Sequence, residues 1–234
     1  MKVVILAGGL GTRLVEYTKK IPKPMVRISG KPIIYHIMKH YSNFGFTDFI
    51  IPVGYKGDHI KKYFRKKFKN WTIKIVPTGI KTMTGGRIRR IKKYIGNETF
   101  LMTYGDGLSN VNIKKLLKFH KRHKKIATIS AVRPPARFGF IKLNKNKVNC
   151  FREKSNLDQG WINGGFMIFN KKIFQFIKND KTYLEREPLE NVSKKGQLYA
   201  FKHNGFWQCM DTLRDKEALE KSIRQKKYIV PKKK

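Results

Sequence analysis

The chain is poor in cysteine and in long apolar runs. Only two of its 234 residues are cysteines, Cys150 and Cys209, which lie far apart and without paired histidines. This usage fits neither a disulfide framework nor a zinc site, so we expect both thiols to be reduced. No apolar run is long enough for a membrane-spanning helix, and the run after Lys2 is too short for a signal peptide. We therefore expect a cytoplasmic protein with no membrane partner.

Acidic residues are also scarce. The sequence has 15 Asp and Glu against 53 Lys and Arg, which gives a formal net charge of +38. Such a balance attracts anionic substrates and predicts non-specific affinity for nucleic acid at low salt. The cations are spread along the chain rather than gathered into a recognisable nucleic-acid module. This spread favours a compositional lysine bias over a selected nucleic-acid surface.

The first glycine-rich segment lacks two common nucleotide-binding motifs. The apolar run Val3–Ala7 predicts a buried strand, and it ends at the glycines of segment 8–11. A dinucleotide fingerprint would need a small residue in place of Leu14, and no Gly-Lys-Ser/Thr marks a P-loop. Glycine still lets backbone N–H groups approach a ligand, while Thr12 and Arg13 offer a hydroxyl and a forked cation to phosphate oxygens. The segment is either a polyphosphate cradle or a tight turn of an α/β domain.

A lysine between two prolines follows this segment. Pro22 and Pro24 restrict the backbone on either side of Lys23. Arg13 and Lys23 can thus place two positive charges on one loop, which favours the polyphosphate cradle over the plain turn.

These motifs resemble those of sugar-1-phosphate nucleotidyltransferases. The resemblance begins with Leu-Ala-Gly-Gly-Leu-Gly-Thr-Arg at 6–13 and Pro-Lys-Pro-Met at 22–25. Six later motifs resemble, more narrowly, the glucose-1-phosphate cytidylyltransferases. They are Lys-Pro-Ile-Ile-Tyr-His-Ile-Met at 31–38, Gly-Tyr-Lys-Gly at 54–57, Met-Thr-Gly-Gly-Arg at 83–87, Thr-Tyr-Gly-Asp-Gly at 103–107, Ile-Asn-Gly-Gly-Phe at 162–166 and Gly-Phe-Trp-Gln-Cys-Met-Asp-Thr-Leu-Arg-Asp at 205–215.

The resemblance implies a Rossmann-like α/β fold, with a doubly wound mixed sheet of the nucleotide-diphospho-sugar transferase type and a sugar-binding second lobe. We expect one domain over 1–228, with a nucleotide-binding half to about 108 and a sugar-phosphate-binding half over about 109–228, then a basic tail at 229–234. The implied reaction is Mg²⁺-assisted transfer from an NTP, by this resemblance CTP, to α-D-glucose 1-phosphate, which gives CDP-glucose and pyrophosphate. The family also implies a homo-oligomer and a role in surface polysaccharide or deoxysugar synthesis.

Two other functions stay open at this point. One is a uridylyl-, thymidylyl- or guanylyltransferase that acts on another sugar phosphate. The other is a basic nucleic-acid-binding or regulatory protein built on the same scaffold. The sequence departs from the cytidylyltransferase pattern at two places: the connection between Phe68 and Thr78 is short, and Ser155 replaces the proline of a Glu-Lys-Pro motif.

Two aspartates are candidate Mg²⁺ ligands. Asp106 follows a strand predicted over Glu98–Tyr104, and open α/β sheets bind ligands at the carboxyl ends of their strands. Alone, an aspartate between glycines is more often a turn residue, and Asp211 with Thr212 could simply begin a terminal helix. The resemblance assigns both carboxylates to the metal.

A second glycine pair, Gly85 and Gly86, opens a predicted helix. Glycines beside a helix N-terminus offer amides to an anion, and Thr82 and Arg87 could hold a nucleotide or phosphate. Without the resemblance, this pattern indicates only a loop and a helix start.

Sugar contacts are expected in the second half. Asn163 offers donors and acceptors to hydroxyls, and Gly164 lets a sugar ring approach the backbone, although a β-bulge is an equal alternative. Glu185 and Glu187 precede a helix, so at least one could be only an N-terminal helix charge. The resemblance places Glu187 near the sugar and Lys154 at the sugar phosphate.

The resemblance therefore assigns a role to each candidate residue: catalysis to Arg13, Lys23 and Lys154; nucleotide binding to Leu6, Ala7, Gly8, Gly9, Gly11, Thr12, Thr82, Arg87, Tyr104 and Gly105; sugar binding to Asn163, Gly164 and Glu187; and the metal to Asp106 and Asp211. In this scheme the three catalytic cations stabilise, in order, the pyrophosphate, the α-phosphate and the incoming phosphate. In-line attack needs no enzyme nucleophile because the substrate phosphate is already ionised.

Overall fold

The computed structural model describes residues 1–65, 68–135, 139–153 and 160–225. The predictions made for Lys154, Ser155 and the tail 229–234 lie outside the described residues. In the described part of the chain, no helix has the length and apolar character needed to cross a bilayer.

A mixed seven-stranded sheet forms the centre of the described chain. In spatial order its strands are β12 (Leu198–Lys202), β8 (Ala127–Val132), β11 (Ile162–Phe169), β6 (Phe100–Tyr104), β1 (Lys2–Leu6), β4 (Asp48–Val53) and β5 (Thr72–Pro77). Strand β11 runs antiparallel to both neighbours, whereas the other neighbouring pairs are parallel. The predicted mixed α/β sheet is confirmed.

Helices cover both faces of this sheet because its central strands are apolar on both sides. The helices are α1 (Val15–Thr18), α2 (Ile33–Asn43), α3 (Gly57–Phe64), α4 (Thr84–Arg90), α5 (Lys92–Ile95), α6 (Ile113–His123), α7 (Glu187–Lys194) and α8 (Leu213–Arg224). One buried cluster packs α2, α3, α6 and α8 on one face, and a second packs α4, α5 and α7 on the other. The arrangement is doubly wound, as predicted.

Three short antiparallel pairs and two 3₁₀ helices complete the described elements. The pairs are β2 (Arg27–Ile28) with β3 (Lys31–Pro32), β7 (Gly107–Ser109) with β13 (Trp207–Cys209), and β9 (Phe140–Asn144) with β10 (Lys147–Arg152). The 3₁₀ helices are Lys23–Met25 and Lys171–Phe176. The β7–β13 pair joins residues about 100 positions apart and brings the segments before and after them to one edge of the sheet.

Candidate active site

A cavity of about 570 Å³ opens over the carboxyl ends of β1 and β6. This volume lies in the range of ordinary small-molecule sites. The structure brings together around it every residue that the sequence assigned to the nucleotide, and also three of the predicted catalytic and metal residues. The first group is Leu6, Ala7, Gly8, Gly9, Gly11, Thr12, Thr82, Arg87, Tyr104 and Gly105, and the second is Arg13, Lys23 and Asp106.

The loop after β1 turns at a glycine that its backbone requires. Gly11 has a φ of +69°, which is the left-handed region, and a Cβ there would lie 2.7 Å from Cγ2 of Thr18. The hydroxyl of Thr18 donates to the carbonyls of Gly11 and Leu14, each at 3.0 Å. The loop is therefore fixed from below by Thr18, while Gly8, Gly9 and Gly11 line the cavity above.

Two carboxylates meet on one buried cation, and a second cation pairs with one of them. The Nζ of Lys23 donates to Oδ2 of Asp106 at 2.7 Å and to Oδ1 of Asp211 at 2.6 Å. Arg13 donates through Nη1 to the second oxygen of Asp211, also at 2.6 Å. Lys23 is almost fully buried, whereas the side chain of Arg13 is 72% exposed. Most of the Arg13 guanidinium therefore faces the solvent side of the site.

The fold explains why these two aspartates converge although they are 105 positions apart. Asp106 directly precedes β7, Asp211 follows β13, and Met210 N–H donates to the Asp106 carbonyl at 2.8 Å. Thr212 begins α8 through a reciprocal capping box with Asp215. Since Thr212 is the cap, the carboxylate of Asp211 is not used there and points to the cations.

Electrostatics favour the charged forms in this cluster. Burial acts to lower the pKa of the Lys23 ammonium, but the Asp106 charge and the hydrogen bonds to Asp106 and Asp211 together raise it above its ordinary value. Burial acts to raise the pKa of Asp211, but Lys23 and Arg13 hold that pKa below its ordinary value. The Lys23 ammonium and the Asp211 carboxylate therefore both stay charged at neutral pH.

The carboxylate pair fits Mg²⁺ by the chemistry of its donors. Mg²⁺ prefers hard oxygen ligands and is usually held by one or two carboxylates together with substrate phosphates and water. Asp106 and Asp211 already converge on a single positive charge, the Lys23 ammonium. The described residues contain no cluster of three or more metal-ligating side chains, so the phosphates of a substrate would have to complete the coordination.

Arg87 lines the cavity, but its guanidinium is bound from several sides by the protein itself. Nη2 donates to the Gly8 carbonyl at 2.8 Å, and Nη1 donates at 2.8 Å to both the Thr78 hydroxyl and the Gly79 carbonyl. Only 4% of the residue is exposed, and burial lowers its pKa from the ordinary value. Arg87 thus ties together the loops after β1 and β5, and its direct contact with a nucleotide stays a prediction.

The N-terminus of α4 is closed to an anion, in contrast to the expectation for the Gly85-Gly86 pair. Gly85 N–H and Gly86 N–H donate to the Thr182 carbonyl at 3.0 and 3.3 Å, and Met83 N–H donates to the Asp180 carbonyl at 2.8 Å. The physical reason is that the chain before α7 packs directly on these glycines. The idea of an anion held by the α4 amides is therefore wrong, whereas Thr82 still lines the cavity.

The predicted sugar residues lie at the same edge of the sheet, because antiparallel β11 begins where its neighbours end. The β8–β11 register shifts between Asn163 and Met167, so the bulge interpretation of this segment is confirmed. Asn163 Oδ1 accepts from Gly165 N–H at 2.9 Å, and the Gly164 carbonyl accepts from the Trp207 indole at 2.7 Å. Sugar binding by Asn163 and Gly164 stays a prediction.

Of the two glutamates considered, Glu185 is the one that contacts cavity-lining residues. Its two carboxylate oxygens accept from the Tyr104 phenol and the Thr84 hydroxyl, each at 2.6 Å. Burial, and then the Glu185 charge, raise the pKa of Tyr104. Glu187 begins α7 and pairs with Lys178 on the surface, so its role at the sugar stays a prediction.

The sequence reasoning missed Thr84, Tyr183 and Ile80 among the residues that line the cavity. A signal existed for Thr84, because it belongs to the same Met-Thr-Gly-Gly-Arg motif as Arg87. Neither Ile80 nor Tyr183 belongs to any of the motifs quoted for the resemblance.

Comparison with known proteins agrees with this arrangement. The family model "Nucleotidyl transferase" matches residues 2–214. The chain is 48% identical over 243 aligned residues to glucose-1-phosphate cytidylyltransferase of Salmonella typhimurium, covering 94% of this chain and 95% of that protein. It is 40% identical to a probable glucose-1-phosphate cytidylyltransferase of Bacillus subtilis, covering 92% and 93% of the two chains.

A solved structure shows the same fold. HddC from Yersinia pseudotuberculosis, complexed with GMP-PN, superposes with a TM-score of 0.76 at 31% identity and covers 95% of this chain and 99% of its own. With a family model that spans most of the residues and relatives that match nearly end to end, the chain belongs to the nucleotidyl transferase family.

Proposed function

We propose that this protein is a glucose-1-phosphate cytidylyltransferase, which converts CTP and α-D-glucose 1-phosphate to CDP-glucose and pyrophosphate. The observation that carries the proposal is the nearly end-to-end similarity to the Salmonella typhimurium enzyme of that name. The clustering of Arg13, Lys23, Asp106 and Asp211 supports it, because both substrates are anionic and must be neutralised before they can react.

The two halves of the chain would divide the substrates between them. Residues up to about 108 supply the loop after β1 and the cavity floor, which suits the nucleotide. Residues from about 109 supply β11, the segment before α7 and Asp211, which suits the sugar phosphate. Both halves form one domain in this proposal, since β6 and β11 are neighbours in the same sheet.

Lys23 and Arg13 have N–H donors left for phosphate oxygens. An ammonium has three donors, and Lys23 uses two of them on Asp106 and Asp211. A guanidinium has five, and Arg13 uses one on Asp211 among the contacts of the described residues. We assign the remaining donor of Lys23 to the α-phosphate and those of Arg13 to the departing pyrophosphate.

Asp106 and Asp211 are the residues that would hold Mg²⁺. When bound, the ion would neutralise phosphate charge and act as a Lewis acid toward the phosphoryl oxygen. The loop at 8–12 would hold the phosphates through its backbone N–H groups. Attack by the sugar phosphate needs alignment and neutralisation rather than an enzyme nucleophile. Homo-oligomer formation and non-specific affinity for nucleic acid stay predictions.

The first experiment measures pyrophosphate release by the purified protein with Mg²⁺. CTP, UTP, dTTP, GTP and ATP are each supplied with and without glucose 1-phosphate. We expect release with CTP and only when the sugar phosphate is present, and we expect EDTA to abolish it. Asp180→Asn, which changes a surface carboxylate paired with Arg90, serves as the matched control for Asp106→Asn.

The other outcomes assign other functions. Release with GTP would favour a guanylyltransferase, a reading supported by the similarity to HddC, whose complex contains GMP-PN. Pyrophosphate release with UTP, dTTP or ATP would support the same nucleotidyl-transfer mechanism but assign a different nucleoside-diphosphate sugar as the product. If no NTP gives pyrophosphate release, either with glucose 1-phosphate or with a panel of other sugar phosphates, the proposal is contradicted and the nucleic-acid-binding alternative is favoured.

A further inference from the structure

The Gly-Tyr-Lys-Gly motif at 54–57 has no role in the site described above. It connects β4 to α3, and Lys56 has a φ of +49°, which is the left-handed region that favours glycine. A side chain in this conformation costs free energy and persists where the surrounding structure holds it. The turn alone therefore does not explain why a lysine, rather than a third glycine, stands at position 56.

The motif contacts both ends of the loop after β1. At the start of the loop, Tyr55 N–H donates to the Gly8 carbonyl at 3.4 Å. At its end, the Tyr55 hydroxyl and the Lys56 Nζ each donate to the Thr18 carbonyl at 3.3 Å. The Lys56 Nζ also donates to the Lys19 carbonyl, and both side chains are half-buried. Segment 54–57 thus bridges two points that enclose the whole loop.

A proline explains why the carbonyl at the end of α1 takes side-chain donors. In a continued helix, the N–H of residue 22 would donate to the Thr18 carbonyl, but Pro22 has no N–H. The next residue, Lys23, begins a 3₁₀ helix and directs its ammonium to Asp106 and Asp211. Lysine side chains commonly donate to the last carbonyls of a helix. The turn that carries Lys23 into the site therefore leaves carbonyls that segment 54–57 caps.

Thr18 passes this restraint on to the loop. Its hydroxyl donates to the carbonyl of Gly11, the residue whose left-handed backbone turns the loop at the cavity. Helix α8 also holds α1, because the Nζ of Lys216 lies 5.6 Å from the ring centre of Tyr17. In the chain, α1 stands between the loop and Lys23, so a displacement of α1 would move both.

We propose that Lys56 is a positioning residue for the triphosphate of the NTP. Through α1 it holds the loop after β1 and Lys23 at the spacing that the phosphates need, and Tyr55 supports it at the Thr18 carbonyl. Lys56 is not among the described residues that line the cavity, so it acts through α1. This role rests on the proposed function, because it takes the loop at 8–12 as the phosphate site. A misplacement of about 1 Å can cost about a hundredfold in rate.

The test compares Lys56→Met with Lys124→Met by pyrophosphate release from CTP and glucose 1-phosphate. Both lysines have a left-handed backbone beside a helix, with φ of +49° and +55°, so each change removes one ammonium from the same kind of position. Lys56→Met should raise the KM for CTP about tenfold and change the KM for glucose 1-phosphate by less than about twofold. Lys124→Met should leave both constants unchanged. If the panel selects another NTP, the same comparison is made with that NTP.

Two further variants separate positioning from general stability. Lys56→Arg keeps a cationic donor for the two carbonyls, so the KM for CTP should stay within about threefold of its unaltered value. Tyr55→Phe removes one of the two donors to the Thr18 carbonyl and should raise the KM for CTP about two- to fourfold. The thermal unfolding midpoint of each variant should stay within about 4 °C of that of the unaltered protein.

Three outcomes with an active unaltered protein would overturn this role of Lys56. An unchanged KM for CTP in Lys56→Met would mean that the loop is positioned without this lysine. Equal rises in both KM values, together with a lower unfolding midpoint, would assign Lys56 a role in folding only. The same rise in Lys124→Met would mean that net charge, rather than the contact with α1, controls CTP binding. No release by the unaltered protein with any NTP of the panel would instead contradict the proposed function, and the role of Lys56 with it.

Discussion

The two glycine-rich segments of this chain have the same local pattern but different surroundings. Gly8, Gly9 and Gly11 follow β1 and line the cavity, and a Cβ built at Gly9 has nothing within 4 Å. At Gly86, a Cβ would lie 2.5 Å from the Asp180 carbonyl oxygen. The first segment therefore leaves room for a ligand at Gly9, although Gly8 and Gly11 are packed against Arg87 and Thr18, whereas the second lets the chain before α7 pack closely on α4. Glycine next to a helix predicts close approach, and the fold decides what approaches.

The largest expected effect is a loss of activity on changing Asp106 or Asp211, which lie in neither glycine segment. Asp106→Asn and Asp211→Asn should each lower kcat/KM by about a thousandfold, because each removes a carboxylate from the proposed Mg²⁺ site. Each change also removes a negative charge from the nearly buried Lys23, so the thermal unfolding midpoint should fall somewhat, but activity should fall far more. Activity that survives in both variants while Mg²⁺ is still required would contradict the metal assignment.

Gly86→Ala should disrupt the packing of the second segment against the chain before α7 and so destabilise the fold. The added methyl meets backbone atoms of Asp180, which cannot rotate away, so we expect a loss of about 1–3 kcal/mol in the free energy of unfolding. Urea denaturation measures this loss. An unchanged midpoint and slope of the urea unfolding curve would contradict this prediction, because they would mean that the backbone at Asp180 can move to accept the methyl group.

Gly9→Ala is the matched change in the first segment, with a different expected result. Because the added methyl has open space, the free energy of unfolding should change by less than about 0.5 kcal/mol. If the nucleotide phosphates approach this backbone, kcat/KM should fall by about 10- to 100-fold. Full activity in this variant would argue against the loop as the phosphate site.

The sequence could predict the first segment well because its signals are local. The apolar run before the glycines is β1, and the run before Asp106 is β6, each within two residues of the predicted bounds. The arrangement at α4 could not be predicted in the same way. Its amides are capped by carbonyls of Asp180 and Thr182, about 95 positions further along, and no local pattern says which carbonyl lies opposite.

The motifs predicted the two carboxylates of the site, Asp106 and Asp211, but not all of their surroundings. The resemblance named Asp106 and Asp211, and the structure places both on Lys23. The alternative for Asp211, a helix start, was half right, since α8 begins there but is capped by Thr212. The carboxylate of Glu185 was harder to foresee, because its partners Tyr104 and Thr84 come from two distant motifs.

The last expected effect depends on pH and concerns a buried histidine away from both segments. His40 on α2 contacts the Val111 carbonyl through Nε2 at 2.9 Å, which makes Nε2 the donor, and its Nδ1 has no hydrogen-bond partner among the described residues. Burial lowers its pKa to about 4. Since the unfolded chain takes up this proton near pH 6.5 and the folded chain only near 4, stability should fall as the pH drops through that window, by about 2 kcal/mol at pH 4.5 from this group.

His40→Gln tests this effect, because the amide can still donate to the Val111 carbonyl but does not titrate. Urea denaturation at pH 7.5 and at pH 4.5 should show a smaller difference in the variant than in the unaltered protein. An equal difference would assign the acid sensitivity to other groups, such as His120, whose pKa burial also lowers to about 4.

The buried guanidinium of Arg87 makes three distant positions depend on one another. A Cβ at Gly8 would lie 2.3 Å from its Cζ, and a Cβ at Gly54 would lie 2.6 Å from its Nη1. At Gly8 the three nearest atoms to an added Cβ all belong to Arg87, so shortening position 87 would make alanine at position 8 more acceptable. At Gly54 the Gly8 carbonyl oxygen would also lie 2.7 Å from the added Cβ, so alanine there needs a backbone shift as well. In evolutionary terms the three sites form an epistatic unit, in which a substitution that is harmful alone becomes acceptable after another has occurred.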